Sequence, residues 1–264
     1  MSNKEIAEVK ATNVVAFDTS ILLEDAGSAS ENMTADDMLI PRLRILQSAS
    51  PQAKKSEGAY IKGAEEGQIF DNVTNELFDG EKGITVVPVT FRKTYIEWTD
   101  DRKFVNDHGI NVDVSNCVLD DKYKLRNPEG NVMTLTAEYL VYVIDKNGNH
   151  SPALISMSSS GIKKSKRWNS MMNRLMIPDP SKPGSMFNPA MFWTAYKITS
   201  VPESNDNGAW MNWEIEMIYD ADSGGIIQNL PNGGNIYLQA RDLKSKAVRG
   251  EVRVQPDTPE DDVM

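Results

Sequence analysis

Alternation of apolar and polar positions is strongest from Val132 to Ile144. Met133, Leu135, Ala137, Tyr139, Val141 and Val143 fall on one side, and Thr134, Thr136 and Glu138 on the other. A period of two predicts a β-strand with its apolar side on a core. The Asn-Gly pair in Lys146-Asn147-Gly148-Asn149 predicts a hairpin into a second strand near Ala153–Ser158. Ile84 to Trp98 is dense in β-branched and aromatic residues and predicts one long strand or two. Met191–Val201 and Trp210–Tyr219 predict a second hairpin across Asn205-Asp206-Asn207-Gly208, with Met211, Trp213, Ile215 and Met217 inward and Asn212, Glu214 and Glu216 outward. Leu43–Leu46 reads as a brief strand.

Between Gly161 and Met176 the period changes to about 3.6, the mark of a helix. Ile162, Trp168, Met171, Met172, Leu175 and Met176 fill one half of its wheel. Lys163, Lys166, Arg167 and Arg174 share an arc of about 100° on the other, with Lys164 at the boundary. Ile236–Val248 predicts a second helix, and Ala35–Ile40 a short one capped by Thr34 and stopped by Pro41. Residues 50–82 are turn-rich without a readable element. Residues 99–130 are polar and irregular, as expected of a functional loop or an elaboration.

From residue 84 onward the elements run strand, strand, strand, helix, strand, strand. The fold class expected is mainly β with α insertions (α+β). The OB barrel has this order, its helix lying between the third and fourth strands. A β-sandwich with an inserted helix has it too.

Composition narrows the function. The longest apolar run, Tyr139–Ile144, is too short to span a membrane, and Met1-Ser2-Asn3-Lys4-Glu5 leads into polar sequence without a signal-peptide core. A protein inside the cell is expected. The single cysteine, Cys117, and two histidines, His108 and His150, leave no disulfide and no Cys/His zinc site. No metal and no cofactor is expected.

The net charge of −10 argues at first against nucleic acid, but it is unevenly placed. Residues 1–40 carry −6 and residues 255–264 carry −4, while 41–254 hold 26 bases and 26 acids. The expected organisation is an acidic, disordered N-terminal tail (1–34), a folded domain (35–250) and an acidic C-terminal tail (251–264). The last of these ends in Glu260-Asp261-Asp262-Val263-Met264, a pattern that either keeps the protein soluble or docks on a partner.

His150 to Pro178 contains five bases and no acid. Unpaired cations on one helix face are either a solvated surface or a track for a phosphate backbone. Phe91, Arg92, Lys93, Tyr95 and Trp98 interleave rings and bases, and Phe192, Trp193, Tyr196 and Lys197 do so again. Such mixtures suit single-strand binding, where rings stack on bases beside a cationic groove. Tyr95 and Trp98 have opposite parity, as do Trp193 and Tyr196, so some of these rings are expected outside the core. The last helix and its continuation, with Arg241, Lys244, Lys246, Arg249 and Arg253 against Asp242 and Glu251, is either a second contact or an ordinary surface. Catalytic signals fail on inspection. Ser160-Gly161-Ile162-Lys163 lacks the partner motifs of a Ser-x-x-Lys enzyme, and the calcium-like start at Asp220 has Pro231 where a glutamate is required.

Ile40-Pro-Arg-Leu-Arg-Ile-Leu-Gln47, Ile84-Thr-Val-Val-Pro88 with Tyr95-Ile-Glu-Trp98, and Ser158-Ser-Ser-Gly-Ile-Lys-Lys-Ser-Lys-Arg-Trp168 together resemble the single-stranded DNA-binding proteins of podophages that carry a giant RNA polymerase in the virion. The resemblance covers about residues 40–200. It implies an OB-like core, non-enzymatic coating of single strands in replication and recombination, and location in the cytoplasm of the infected bacterium. It also implies recruitment of replication, recombination or transcription proteins by the acidic tip. Here the tip ends in methionine and not in the aromatic of bacterial homologues. The expected partner is single-stranded DNA, with no membrane. The bases Arg92, Lys93, Lys163, Lys164, Lys166, Arg167, Arg174 and Lys197 would meet phosphates, and exposed rings among Tyr95, Trp98, Trp193 and Tyr196 would stack bases. A strand-annealing recombination protein, and a phage interaction or decoration protein without DNA binding, are the alternatives.

Overall fold

The first strand of the computed structural model, β1, is Arg42–Ile45, followed by β2 (Ile69–Asp71) and β3 (Leu77–Phe78). The long strand β4 spans Ile84–Trp98, and the short strands β5 (Phe104–Asp107), β6 (Val118–Leu119) and β7 (Leu125–Arg126) follow it. Next come β8 (Val132–Ile144), β9 (His150–Ser158) and helix α1 (Gly161–Arg174). A small β10 (Ile177–Pro178) and β11 (Met186–Phe187) pair leads to β12 (Tyr196–Asn205) and β13 (Gly208–Met217). Helices α2 (Gly225–Asn229) and α3 (Gly233–Val248) end the fold. The structure describes residues 39–252 except 102, 110 and 207. The expected N-terminal tail, residues 1–34, lies outside the described residues, as does the expected C-terminal tail, 251–264, apart from Glu251 and Val252. So does most of the expected helix at 35–40; Leu39 and Ile40 are described, and neither is helical.

The protein is mainly β, with few helices and one strongly curled half-barrel sheet. Among the described residues its strands run β13-β12-β4-β8-β9-β1-β2-β3, with β5 on β4 and the β6–β7 hairpin on β8. The pairings are antiparallel except β1 on β9. The β8–β9 turn needs Gly148, at φ +81, where an added Cβ would sit 2.4 Å from the Pro231 carbonyl oxygen.

The sheet is covered on both faces. Ala137, Tyr139 and Val141 pack with Leu43, Ile155, Ile198, Trp213 and Trp168 in the larger core. Trp168 brings α1 down on the sheet: it is fully buried and stacks on Tyr139 at 4.2 Å. Burial of a ring this size stabilises by about 2–3 kcal/mol. Burial pushes the Tyr139 phenol up to about 12, although its hydroxyl bonds to Ser165 and Asn169. Leu140, Tyr142, Ile144 and Leu154, of the opposite parity, pack with Ile226, Ile236 and Ala240 of α2 and α3. The polar side expected for β8 is therefore apolar along one half, and its Glu138 is 1% exposed.

Curling brings β13, whose outer edge pairs with no strand among the described residues, to Gln47, two residues beyond β1. There Gln47 Nε2 donates to the Met211 carbonyl (3.0 Å), and the Met211 N–H donates to Gln47 Oε1 (2.9 Å). One side-chain amide thus supplies the two hydrogen bonds that a neighbouring strand would make.

Candidate nucleic-acid interface

The face that α3 covers at its apolar end turns polar along the same strands. Leu140 and Leu154 are opposite each other; one step further Glu138 faces Ser156, and then Thr136 faces Ser158. On β4, Arg92 pairs with Glu138, Thr94 with Thr136, Ile96 with Thr134 and Trp98 with Val132.

Glu138 organises this end. Its Oε1 accepts from Arg42 Nη1 at 2.8 Å and its Oε2 from Arg92 Nε at 2.6 Å. Arg42 also donates to the Ser156 hydroxyl, and Arg92 Nη2 to Asp107 at 2.6 Å. A buried carboxylate held by two guanidiniums is a rigid unit, and breaking its ion pair with buried Arg42 would cost about 3–5 kcal/mol. Burial works against the Arg92 charge, but Glu138 and Asp107 outweigh it and raise its affinity for the proton. Burial likewise pushes the Asp107 carboxyl up, while the Thr94 hydroxyl, the Gly109 N–H and Arg92 more than compensate and hold it below the usual carboxylate range.

Beside this network lies an open groove of about 410 Å³. Arg44 and Lys124 bring cations to it and Asp100 a carboxylate, Trp98 and Trp210 bring half-buried rings, and Thr134, Thr136, Ser156 and Ser158 bring hydroxyls; Arg42 also lines it, buried against Glu138. Its rim is made by the β4–β8 connection, through Thr99, Asp100 and Lys124, and by the β12–β13 hairpin through Trp210. Polar, ring and cationic groups of this kind can hold an extended anionic chain whose bases offer flat faces.

The structure divides the residues singled out from the sequence. Trp98 lines the groove, and Arg92 stands near it in the Glu138 network. Lys93 and Tyr95 have the opposite parity on β4; Lys93 is exposed and Tyr95 half-buried. Two expectations are corrected. Trp193 and Tyr196 are core residues at 8% and 0% exposure. Trp193 sits in a 3-10 turn (Met191–Trp193) and not on a strand, so alternation does not apply to it, while Tyr196 packs beneath Trp168 at 5.5 Å. The basic face of α1 is not free of carboxylates either. Lys164 lies between Glu203 (2.9 Å) and Glu214 (2.7 Å), and Arg167 binds Glu214 at 2.7 Å. Burial opposes the Lys164 charge, but these two acids win and raise its pKa. Lys163, Lys166, Arg174 and Lys197 are exposed and carry no ion pair among the described residues. On α3, Lys246 binds Asp242, and just past its end Arg249 binds Glu251. The tail residues Glu260, Asp261, Asp262, Val263 and Met264 lie outside the described residues.

Arg42, Arg44, Lys124 and Trp210 line the groove as well, and the sequence pattern does not single them out for it. Trp210 did carry a signal, since it shares the parity of Asn212 and Glu214 and so stands on the side of β13 away from Ile215. Lys124 carried none, because only folding brings the 99–131 connection to the groove.

This is a mainly β protein whose half-barrel bears a groove lined by rings, apolar side chains, hydroxyls and a few cations. The chain belongs to the Pam3 phage gp34-like protein family, which it matches over residues 10–253, and is a phage protein. No curated protein and no solved structure matches it.

Proposed function

We propose that this phage protein binds single-stranded DNA without sequence preference, on an OB-like barrel. The strand order β13-β12-β4-β8-β9, with α1 between β9 and β12, supports the barrel reading. OB folds hold oligonucleotides on the face of their second and third strands, between the loops that join strands one and two and strands four and five. Here those strands correspond to β8 and β9, and those loops to the β4–β8 connection and the β12–β13 hairpin.

The observation that carries the proposal is the groove itself, with Trp98 and Trp210 beside Arg44 and Lys124. Bases stack on the rings and phosphates meet the cations, with no catalytic step. The acidic C-terminal tail recruits replication, recombination or transcription proteins in the cytoplasm of the infected cell.

The five tryptophans provide the test. Titration with oligo-dT is expected to quench their fluorescence, with an affinity that falls as salt rises. Trp98→Ala and Trp210→Ala are each expected to weaken binding by about 1–3 kcal/mol. Absence of quenching at low salt, or an affinity without a salt slope, would overturn the reading.

A further inference from the structure

Among the described residues Tyr123 is the most exposed large apolar side chain, at 87%. Its backbone is left-handed, at φ +59, a region that L residues other than Asn and Asp seldom adopt. The turn around it is nevertheless fully tied down. The Tyr123 N–H donates to the Asp120 carbonyl at 3.0 Å, and the Asp120 N–H to the Lys124 carbonyl at 2.9 Å. Asp120 Oδ1 accepts the N–H groups of Lys122 (2.9 Å) and Lys124 (2.8 Å), and its Oδ2 accepts Arg126 Nε at 2.8 Å. Arg126 in turn holds Asp100 at 2.8 Å, and both Asp100 and Lys124 line the groove. The turn is thus anchored to the groove rim while its ring stays in solvent, without a ring contact among the described residues.

A strained, rigid, outward-held aromatic gives nothing to folding; strain kept in this way is a mark of function. We infer that Tyr123 is a base-stacking finger for the bound single strand, with Lys122 and Lys124 meeting the phosphates on either side. The inference rests on the single-stranded DNA reading. Two observations select nucleic acid as the occupant: a cation flanks the ring on each side, and Lys124 makes the turn continuous with the groove. A ring held in place before binding also loses little freedom when it stacks.

The test is Tyr123→Asn in the full-length chain, since asparagine tolerates the left-handed backbone. The variant is expected to keep the thermal midpoint of the parent and to bind oligo-dT on the order of ten-fold more weakly. The salt slope should not change, because no cation is removed. Tyr123→Trp should restore affinity and add quenching from the new indole. If the parent protein binds oligo-dT and Tyr123→Asn binds equally well, the finger is wrong and the reading of the groove stands. If the parent does not bind at all, both fall.

Discussion

Burial pulls the Glu97 carboxyl upward, yet three side chains hold it below the usual carboxylate range: Asn131 at 2.7 Å, His108 at 2.7 Å and Asn127 at 2.8 Å. These bonds tie the end of β4 to the turn before β8 and to the residue after β5, framing the connection that rims the groove. A carboxylate with a depressed folded pKa contributes stability that is fully present above its unfolded value, about 4.3 for glutamate. That contribution is lost as pH falls through the lower folded value. Urea midpoints measured from pH 7 to pH 3 should therefore decline more steeply for the parent than for Glu97→Gln, which starts lower at neutral pH. Identical slopes would show that the network does not couple to folding. None of this was legible from the sequence, where Glu97 was only one polar position among the rings of Phe91–Trp98.

At the scale of elements, the strongest periodicities translated directly. The alternation over 132–144 became β8, the Asn-Gly pair became its turn, and the helical stretch from Gly161 became α1. Where local pattern was weak, as in 50–82, the chain forms a 3-10 turn (Pro51–Ala53), β2 and β3; β2 pairs with the distant β1, and β3 with β2. The joint between Gln47 and Met211 has the same long-range character. Gln47→Ala removes both hydrogen bonds to Met211 from an edge that pairs with no further strand among the described residues, and is expected to lower stability by about 1–3 kcal/mol. Hydrogen exchange at the Met211 amide should accelerate more than exchange in the middle of β8. An unchanged rate at Met211 would mean that packing alone keeps the sheet curled.

For the whole molecule, the charge of −10 describes a neutral body between acidic ends. If the groove binds DNA, removing residues 255–264 should tighten binding to oligo-dT at low salt. The difference should vanish near 1 M salt, where the Debye length is about 3 Å; unchanged affinity at low salt would remove the tail from any competition for the groove. The sequence by itself determined the long strands, the β8–β9 turn and the amphipathic helix, because each is written in the spacing of neighbouring residues. Only the tertiary structure decided which charges remain unpaired and which rings reach the surface. Glu214 neutralises Arg167 from 47 positions away, Trp193 is buried in a 3-10 turn where a strand was expected, and Lys124 arrives at the groove through folding of a polar connection. Screening and burial depend on neighbours in space, and a linear pattern does not contain them.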